Sequence, residues 1–363
     1  MVIDLLRHIS YAITAAVCGR HSGCPAPTEA KCTQRAQRRA TTSARPVDVT
    51  GAPRIEPVTA ENPTVDVRQH HSDRMSTQAW MLFAAMSVIW GLPYLFIKVA
   101  VAEVSPATLV FARTTLALIV LLPLALHTGA LRPALRHWRP AAIFAVLEMG
   151  IPWLLLGHAE TRISSALAGL LLAAVPIIGA AITAFLGDRH NVAPVRVVGM
   201  VLGLVGVGAL VGVDATGGHL DWLSVAEMLT VATCYAVAPI IIDRQENPAP
   251  ALGTITVSIL LVSVAYLPFG LPGLIAAWPL QTETAASLTV LGLICTALAF
   301  ILFFRLIAAA GPVRAVVITF INPAVAIVLG VLVLSEQVTT GMLVGFPLVI
   351  LGSVLATRAT ATR

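Results

Sequence analysis

Ala173-Ala-Val-Pro176-Ile-Ile-Gly-Ala-Ala181, followed by Val198-Gly199-Met-Val-Leu-Gly203-Leu-Val-Gly206, returns later in the chain in altered form. The later copy is Phe320-Ile-Asn322-Pro323-Ala-Val-Ala-Ile327, followed by Val344-Gly345-Phe-Pro-Leu-Val-Ile-Leu-Gly352. Pro176 and Pro323 stand 147 residues apart, and Trp90-Gly91 has a counterpart in Tyr235-Ala236 at a distance of 145. Self-similarity at a fixed spacing is the mark of a repeated structural unit. Here the unit is about half of the apolar part of the chain.

Composition says where that unit resides. Hydrophobic residues make up 57% of the 363 and charged residues 11%, with mean hydropathy +0.87. A soluble domain carries roughly 25% charged residues, so most of this chain cannot face water. Ten windows have the length and apolarity to cross a hydrocarbon core, which takes about 20 residues each. They run near 79–99, 106–126, 140–158, 164–186, 195–213, 222–242, 252–275, 285–306, 312–334 and 340–357.

The charges orient these spans. Arg132, Arg136, Arg139, Arg189, Arg244, Arg305 and Arg314 fall in even-numbered connections, and Arg358 and Arg363 follow the last span. Odd-numbered connections carry Glu103, Asp214, Asp221, Glu283 and Glu336, with Arg162 the one clear basic residue. The positive-inside rule then puts both termini in the cytoplasm, which requires an even number of spans. The expected fold is all-α: ten transmembrane helices in an inner membrane, as two five-helix repeats over 79–213 and 222–357. Five is odd, so the second repeat enters the membrane inverted, an arrangement typical of secondary transporters.

Residues 1–75 are rich in Thr, Pro, Ala and Arg and poor in large apolar side chains. The expectation is a disordered basic tail. Met75, just ahead of the first span, is the candidate true start. The +5 net charge comes from this tail and from loop arginines, and nucleic acid is not an expected partner. The five cysteines have no zinc-ribbon spacing, and neither a metal nor a cofactor is expected.

Several stretches resemble the drug/metabolite transporter superfamily in its EamA-type ten-helix members. These are Ile89-Trp-Gly-Leu-Pro-Tyr-Leu-Phe-Ile-Lys98, Ser105-Pro-Ala-Thr-Leu-Val-Phe-Ala-Arg113, Ala308-Ala-Ala-Gly-Pro, Asn322-Pro323 and Leu334-Ser-Glu336. Phe185-Leu-Gly-Asp188-Arg departs from the pattern, with Asp188 where the family usually has Glu. The resemblance implies export or exchange of a small molecule without ATP, and is nearly silent on which one.

Ionisable groups at membrane depth cost several kcal/mol unless paired or hydrated, so each is a functional candidate. Arg113 and Glu148 come near mid-membrane on the second and third spans and are expected to face a cavity, either paired with each other or as a substrate and proton site. Trp90, Tyr94 and Tyr235 are candidate cavity aromatics, with Trp153 either there or in an interfacial belt. Lys98 either snorkels or attracts anionic groups at the cavity mouth, and Asn322 is placed to bond a neighbouring helix. Pro93, Pro176, Pro239 and Pro323 fall in matched spans of the two halves, where helix breaks point to a binding site. His158 and Glu227 read as interfacial. The fifth and tenth spans, rich in Gly, are expected at the periphery or at a homodimer contact.

No G-x-x-x-x-G-K-[ST], H-E-x-x-H or G-x-S-x-G occurs, so an ATP-driven pump or a hydrolase has no motif behind it. The expectation is a secondary transporter that moves an amino acid, related metabolite or small amphiphile outward by alternating access through the bilayer. The alternatives are a non-transporting scaffold or receptor and, behind it, an integral-membrane enzyme.

Overall fold

The structure is a computed structural model; it describes residues 76–185, 194–216, 221–243, 249–310 and 318–357. The expectations for the tail, for Met75 and for Asp188 lie outside these residues. The described chain is helical, with no strand among the described residues. Its principal helices are α1 (Thr77–Ile89 and Leu92–Ala100), α2 (Pro106–His127), α3 (Trp138–Glu160), α4 (Ser165–Leu172 and Val175–Phe185) and α5 (Pro194–Thr216). The second set is α6 (Trp222–Asp243), α7 (Ala251–Ala276), α8 (Thr282–Ala310), α9 (Ile318–Leu334) and α10 (Thr340–Thr357). Six of them are long and apolar enough to cross a membrane: α1, α2, α3, α4, α7 and α8. The other four have shorter apolar cores, Pro194–Leu210, Trp222–Ala238, Ile318–Leu334 and Thr340–Ala356.

Local sequence explains the helix starts. Ser76, Ser105 and Ser164 are N-caps whose hydroxyls accept from Ala79, Thr108 and Leu167 backbone N–H groups, each at 3.2 Å. Pro106 follows its cap in the first turn, where a missing N–H costs nothing. Carboxylates from distant loops cap one further start, that of α8, and add to the cap of α4. Glu103, between α1 and α2, accepts from the Gln281 N–H at the head of α8 at 3.1 and 3.2 Å. Glu336, between α9 and α10, accepts from the Ser165 and Ala166 N–H groups of α4 at 2.8 and 3.0 Å. A carboxylate at a helix N-terminus meets both unpaired donors and the positive end of the dipole.

Contacts between helices follow a pattern. α2 packs on α7, α4 on α9, and α5 on α10. The pairs α3–α6, α7–α3 and α4–α6 are matched, five helices on, by α8–α1, α2–α8 and α9–α1. The α5–α10 seam is backbone against backbone: a Cβ at Gly206 would lie 2.7 Å from the Val349 nitrogen, and one at Gly352 would meet Gly203. The glycines of these two helices thus pack against each other within one chain.

Both α3 and α8 change winding midway. Ala145–Gly150 and Val290–Leu298 are π-helical, with bonds one residue longer than α. Such segments collect at functional sites because they release backbone groups and rotate the side chains that follow. Tyr266 of α7 donates its hydroxyl to the Gly150 carbonyl at 3.0 Å, which holds the first segment from outside.

Candidate functional site

A cavity of about 260 Å³ opens among α1, α2, α3, α4, α6, α8 and α9. α1 and α4 contribute their interruptions. α1 breaks at Trp90–Gly91 and α4 at Ala173–Ala174, and Pro93 and Pro176 occupy the second position of the helices that resume. Both prolines line the cavity. Pro323 also lines it, inside an unbroken α9. Pro239 belongs to the backbone of α6, and its side chain lies outside the described ones.

Six aromatic side chains line the cavity. They are Trp90, Tyr94, Trp153 and Tyr235, with Phe300 and Phe303 of α8. Trp90 packs on Phe303 with ring centroids 4.6 Å apart and edge-on to Phe300 at 6.3 Å. Trp153 is 6% exposed, so it belongs to this wall rather than to an interfacial belt. Asn322 lines the cavity and ties α9 to α1: with its amide oriented nitrogen-first, it donates to the Ser87 carbonyl at 3.1 Å and to the Ile318 carbonyl at 2.9 Å.

Two ionisable groups enter this apolar space. Arg113, seven residues into α2, is 5% exposed. Its Nε donates to the Thr296 hydroxyl at 2.8 Å, and its guanidinium carbon lies 3.8 Å over the Trp153 ring. Thr296 in turn donates to the Leu291 carbonyl at 2.7 Å, a π-helical spacing, so the winding of α8 sets the arginine's partner. Glu148 sits in the π segment of α3 with Oε2 buried and unpartnered among the described residues. No ion pair joins Arg113 to Glu148 among the described residues. The two groups share one cavity without satisfying each other, and the terminal nitrogens of Arg113 have no hydrogen bond to a described residue.

Lys98 stands elsewhere. Its ammonium donates to the Glu160 and Ile163 carbonyls at 2.6 and 2.7 Å, closing the C-terminal end of α3. A second polar centre lies where α3 meets α6. Arg162 donates to Glu227 Oε2 at 2.7 Å and to the Ser224 hydroxyl at 3.0 Å, and pairs with Asp221. His158 Nδ1 lies 2.6 Å from Glu227 Oε1. Glu227 is 8% exposed, so it belongs to this network rather than to an open interface. Cys295 and Phe300 also line the cavity. The signal for Cys295 was its repeat position, 147 residues after Glu148.

The EamA-like transporter family model matches residues 78–212 and, a second time, 222–358. The chain belongs to the EamA-like transporter family. It is a multi-pass membrane transporter. This EamA-like transporter is similar to an uncharacterized transporter, YvbV, of Bacillus subtilis (strain 168), with 24% identity over 76% of this chain and 90% of the relative. It is also similar to a probable terminal-alkyne amino-acid exporter of Streptantibioticus cattleyicolor, 26% identical over 80% of this chain and 96% of the relative. A solved crystal structure shares the fold at a TM-score of 0.51 and 19% identity, over 77% of this chain and 96% of its own.

Proposed function

We propose that this EamA-like transporter exports a small zwitterion of the amino-acid class by alternating access. The observation that carries the reading is one cation without an ion-pair partner and one unpartnered carboxyl group in a single cavity lined also by six aromatic side chains. The Arg113 guanidinium, anchored through Nε, offers its terminal nitrogens to a substrate carboxylate, and a planar fork suits that partner. Glu148 Oε2 accepts from the substrate ammonium. The rings of Trp90, Tyr94 and Tyr235 cover the side chain and add attraction for the cationic end. Each empty charge costs free energy that the zwitterion offsets, so the site prefers a molecule carrying both.

In this reading the protein crosses an inner membrane ten times, with both termini cytoplasmic and two inverted halves over 79–213 and 222–357. The matched helix contacts, the π segments of α3 and α8, and the double family match support two related halves. The distribution of arginine supports the orientation. Rocking one half on the other would expose the cavity to each side in turn. The relative named as an amino-acid exporter supports the cargo class.

Counterflow tests the proposal. Proteoliposomes loaded with a terminal-alkyne amino acid should accumulate the labelled compound from outside, and protein-free vesicles should not. No exchange of it, or of any member of an amino-acid panel, would reject the reading in favour of a receptor or scaffold.

A further inference from the structure

Glu160, the last residue of α3, is 0% exposed, and neither carboxylate oxygen has a hydrogen-bond partner among the described residues. Nothing assigned above uses it. An ionised carboxylate stripped of both water and donors costs several kcal/mol, and a protonated one costs far less. Its surroundings are specific. From α1, Lys98 reaches the Glu160 backbone carbonyl at 2.6 Å and the Ile163 carbonyl at 2.7 Å, spending two of its three donors there. No ion pair joins the Lys98 ammonium to the Glu160 carboxylate among the described residues. From the α9–α10 connection, Glu336 is committed to the head of α4. On α3 and just beyond it, His158 and Arg162 turn away toward Glu227 and Asp221.

Glu148, whose Oε2 is likewise unpartnered among the described residues, lies at the cavity. Buried ionisable groups without a partner in a membrane-spanning chain mark ion and proton pathways.

We propose that Glu160 is a proton-binding site. The proton binds a Glu160 oxygen as a carboxyl O–H, and its release leaves the carboxylate. A part for this proton in the transport cycle rests on the exporter reading; proton binding itself does not.

The test is infrared spectroscopy of the full-length protein in lipid nanodiscs at neutral pH, with no substrate added. Wild type should show a protonated-carboxyl C=O band that Glu160→Gln removes and Glu148→Gln leaves in place. A Glu160→Gln spectrum identical to wild type in that region would overturn the proposal. Lys98→Gln supplies a second measure should Glu160→Gln fail to fold. An unchanged band supports a carboxyl group already protonated beside the lysine. A band that appears only in Lys98→Gln would mean that Glu160 is ionised in wild type, and would overturn it. In proteoliposomes, the stimulation of terminal-alkyne amino-acid counterflow by an acid gradient should fall toward none in Glu160→Gln. Full stimulation in the variant would refute the coupling. Absence of counterflow in wild type would fall on the exporter reading, and the band would still decide proton binding.

Discussion

Two glycines of α5, two residues apart, should respond to alanine in opposite ways. A Cβ at Gly206 would lie 2.7 Å from the Val349 nitrogen, 2.8 Å from Val349 Cγ2 and 2.9 Å from Leu348 Cβ of α10. Two of these are backbone or backbone-adjacent atoms that cannot swing aside, so α5 and α10 must separate. Overpacking of this kind costs about 1–3 kcal/mol. In solution, alanine regains roughly 0.5–1 kcal/mol of helix propensity. In a bilayer or micelle the denatured reference keeps much of its helix, so the offset is smaller. The net expectation for Gly206→Ala is a loss of roughly 1–2 kcal/mol, a factor of roughly 5–30 in the folding equilibrium. Gly208 has nothing within 4 Å of its would-be Cβ, and Gly208→Ala should be neutral or slightly stabilising. Reversible denaturation in mixed micelles, followed by tryptophan fluorescence, reads both. Equal stability of Gly206→Ala and wild type, or equal damage from both changes, would refute a closely packed α5–α10 seam.

Other expectations follow from the polar contacts. Arg162→Ala strands the buried Glu227 carboxylate with His158 alone and should cost about 1–3 kcal/mol, read as a lower melting temperature in detergent that Arg162→Lys partly restores. The Ser224 hydroxyl, and then the Arg162 guanidinium, hold Asp221 below the usual carboxylate range. A depressed carboxylate stabilises above its unfolded value and loses that contribution as pH falls through the folded one. Acidification below about pH 4 should therefore destabilise wild type more than Asp221→Asn, as measured by thermal unfolding across pH. Glu336→Gln leaves the N–H groups at the head of α4 a neutral acceptor and should cost about 1 kcal/mol, seen as faster hydrogen exchange at Ser165 and Ala166. Thr296→Val removes the anchor of Arg113 and should raise the half-saturating cargo concentration roughly tenfold, about 1.4 kcal/mol, in counterflow titrations.

Much of the helical framework was legible in the sequence because apolar length is a one-dimensional property. The window edges that lie among the described residues fall within a few residues of the helices observed, and Ser76, Ser105 and Ser164 mark starts by local chemistry alone. The charged pair of the cavity was legible for the same reason: Arg113 and Glu148 stand alone in long apolar runs. Their mutual independence was not, since it depends on the π winding of α3 and α8, which no residue pattern announces. Lys98 had the composition of a cavity-mouth residue, yet the turn after α3 brings two carbonyls to its ammonium. The network of His158, Arg162, Asp221, Ser224 and Glu227 was hidden because its members sit at the ends of α3 and α6, more than fifty residues apart in the chain. Glycine density in α5 and α10 signalled close packing but not its partner, and the structure assigns each helix to the other.

The central claim is that Arg113 takes a carboxylate and Glu148 an ammonium in one cavity. The most direct measurement compares counterflow of a terminal-alkyne amino acid with that of its carboxamide and its N-acetyl derivative, in wild type, Arg113→Ala and Glu148→Gln. Wild type should exchange the zwitterion and discriminate strongly against both derivatives. Glu148→Gln should lose selectivity against the N-acetyl form, and Arg113→Ala should lose it against the carboxamide. Equal exchange of all three compounds by wild type, or unchanged selectivity in both variants, would contradict the account.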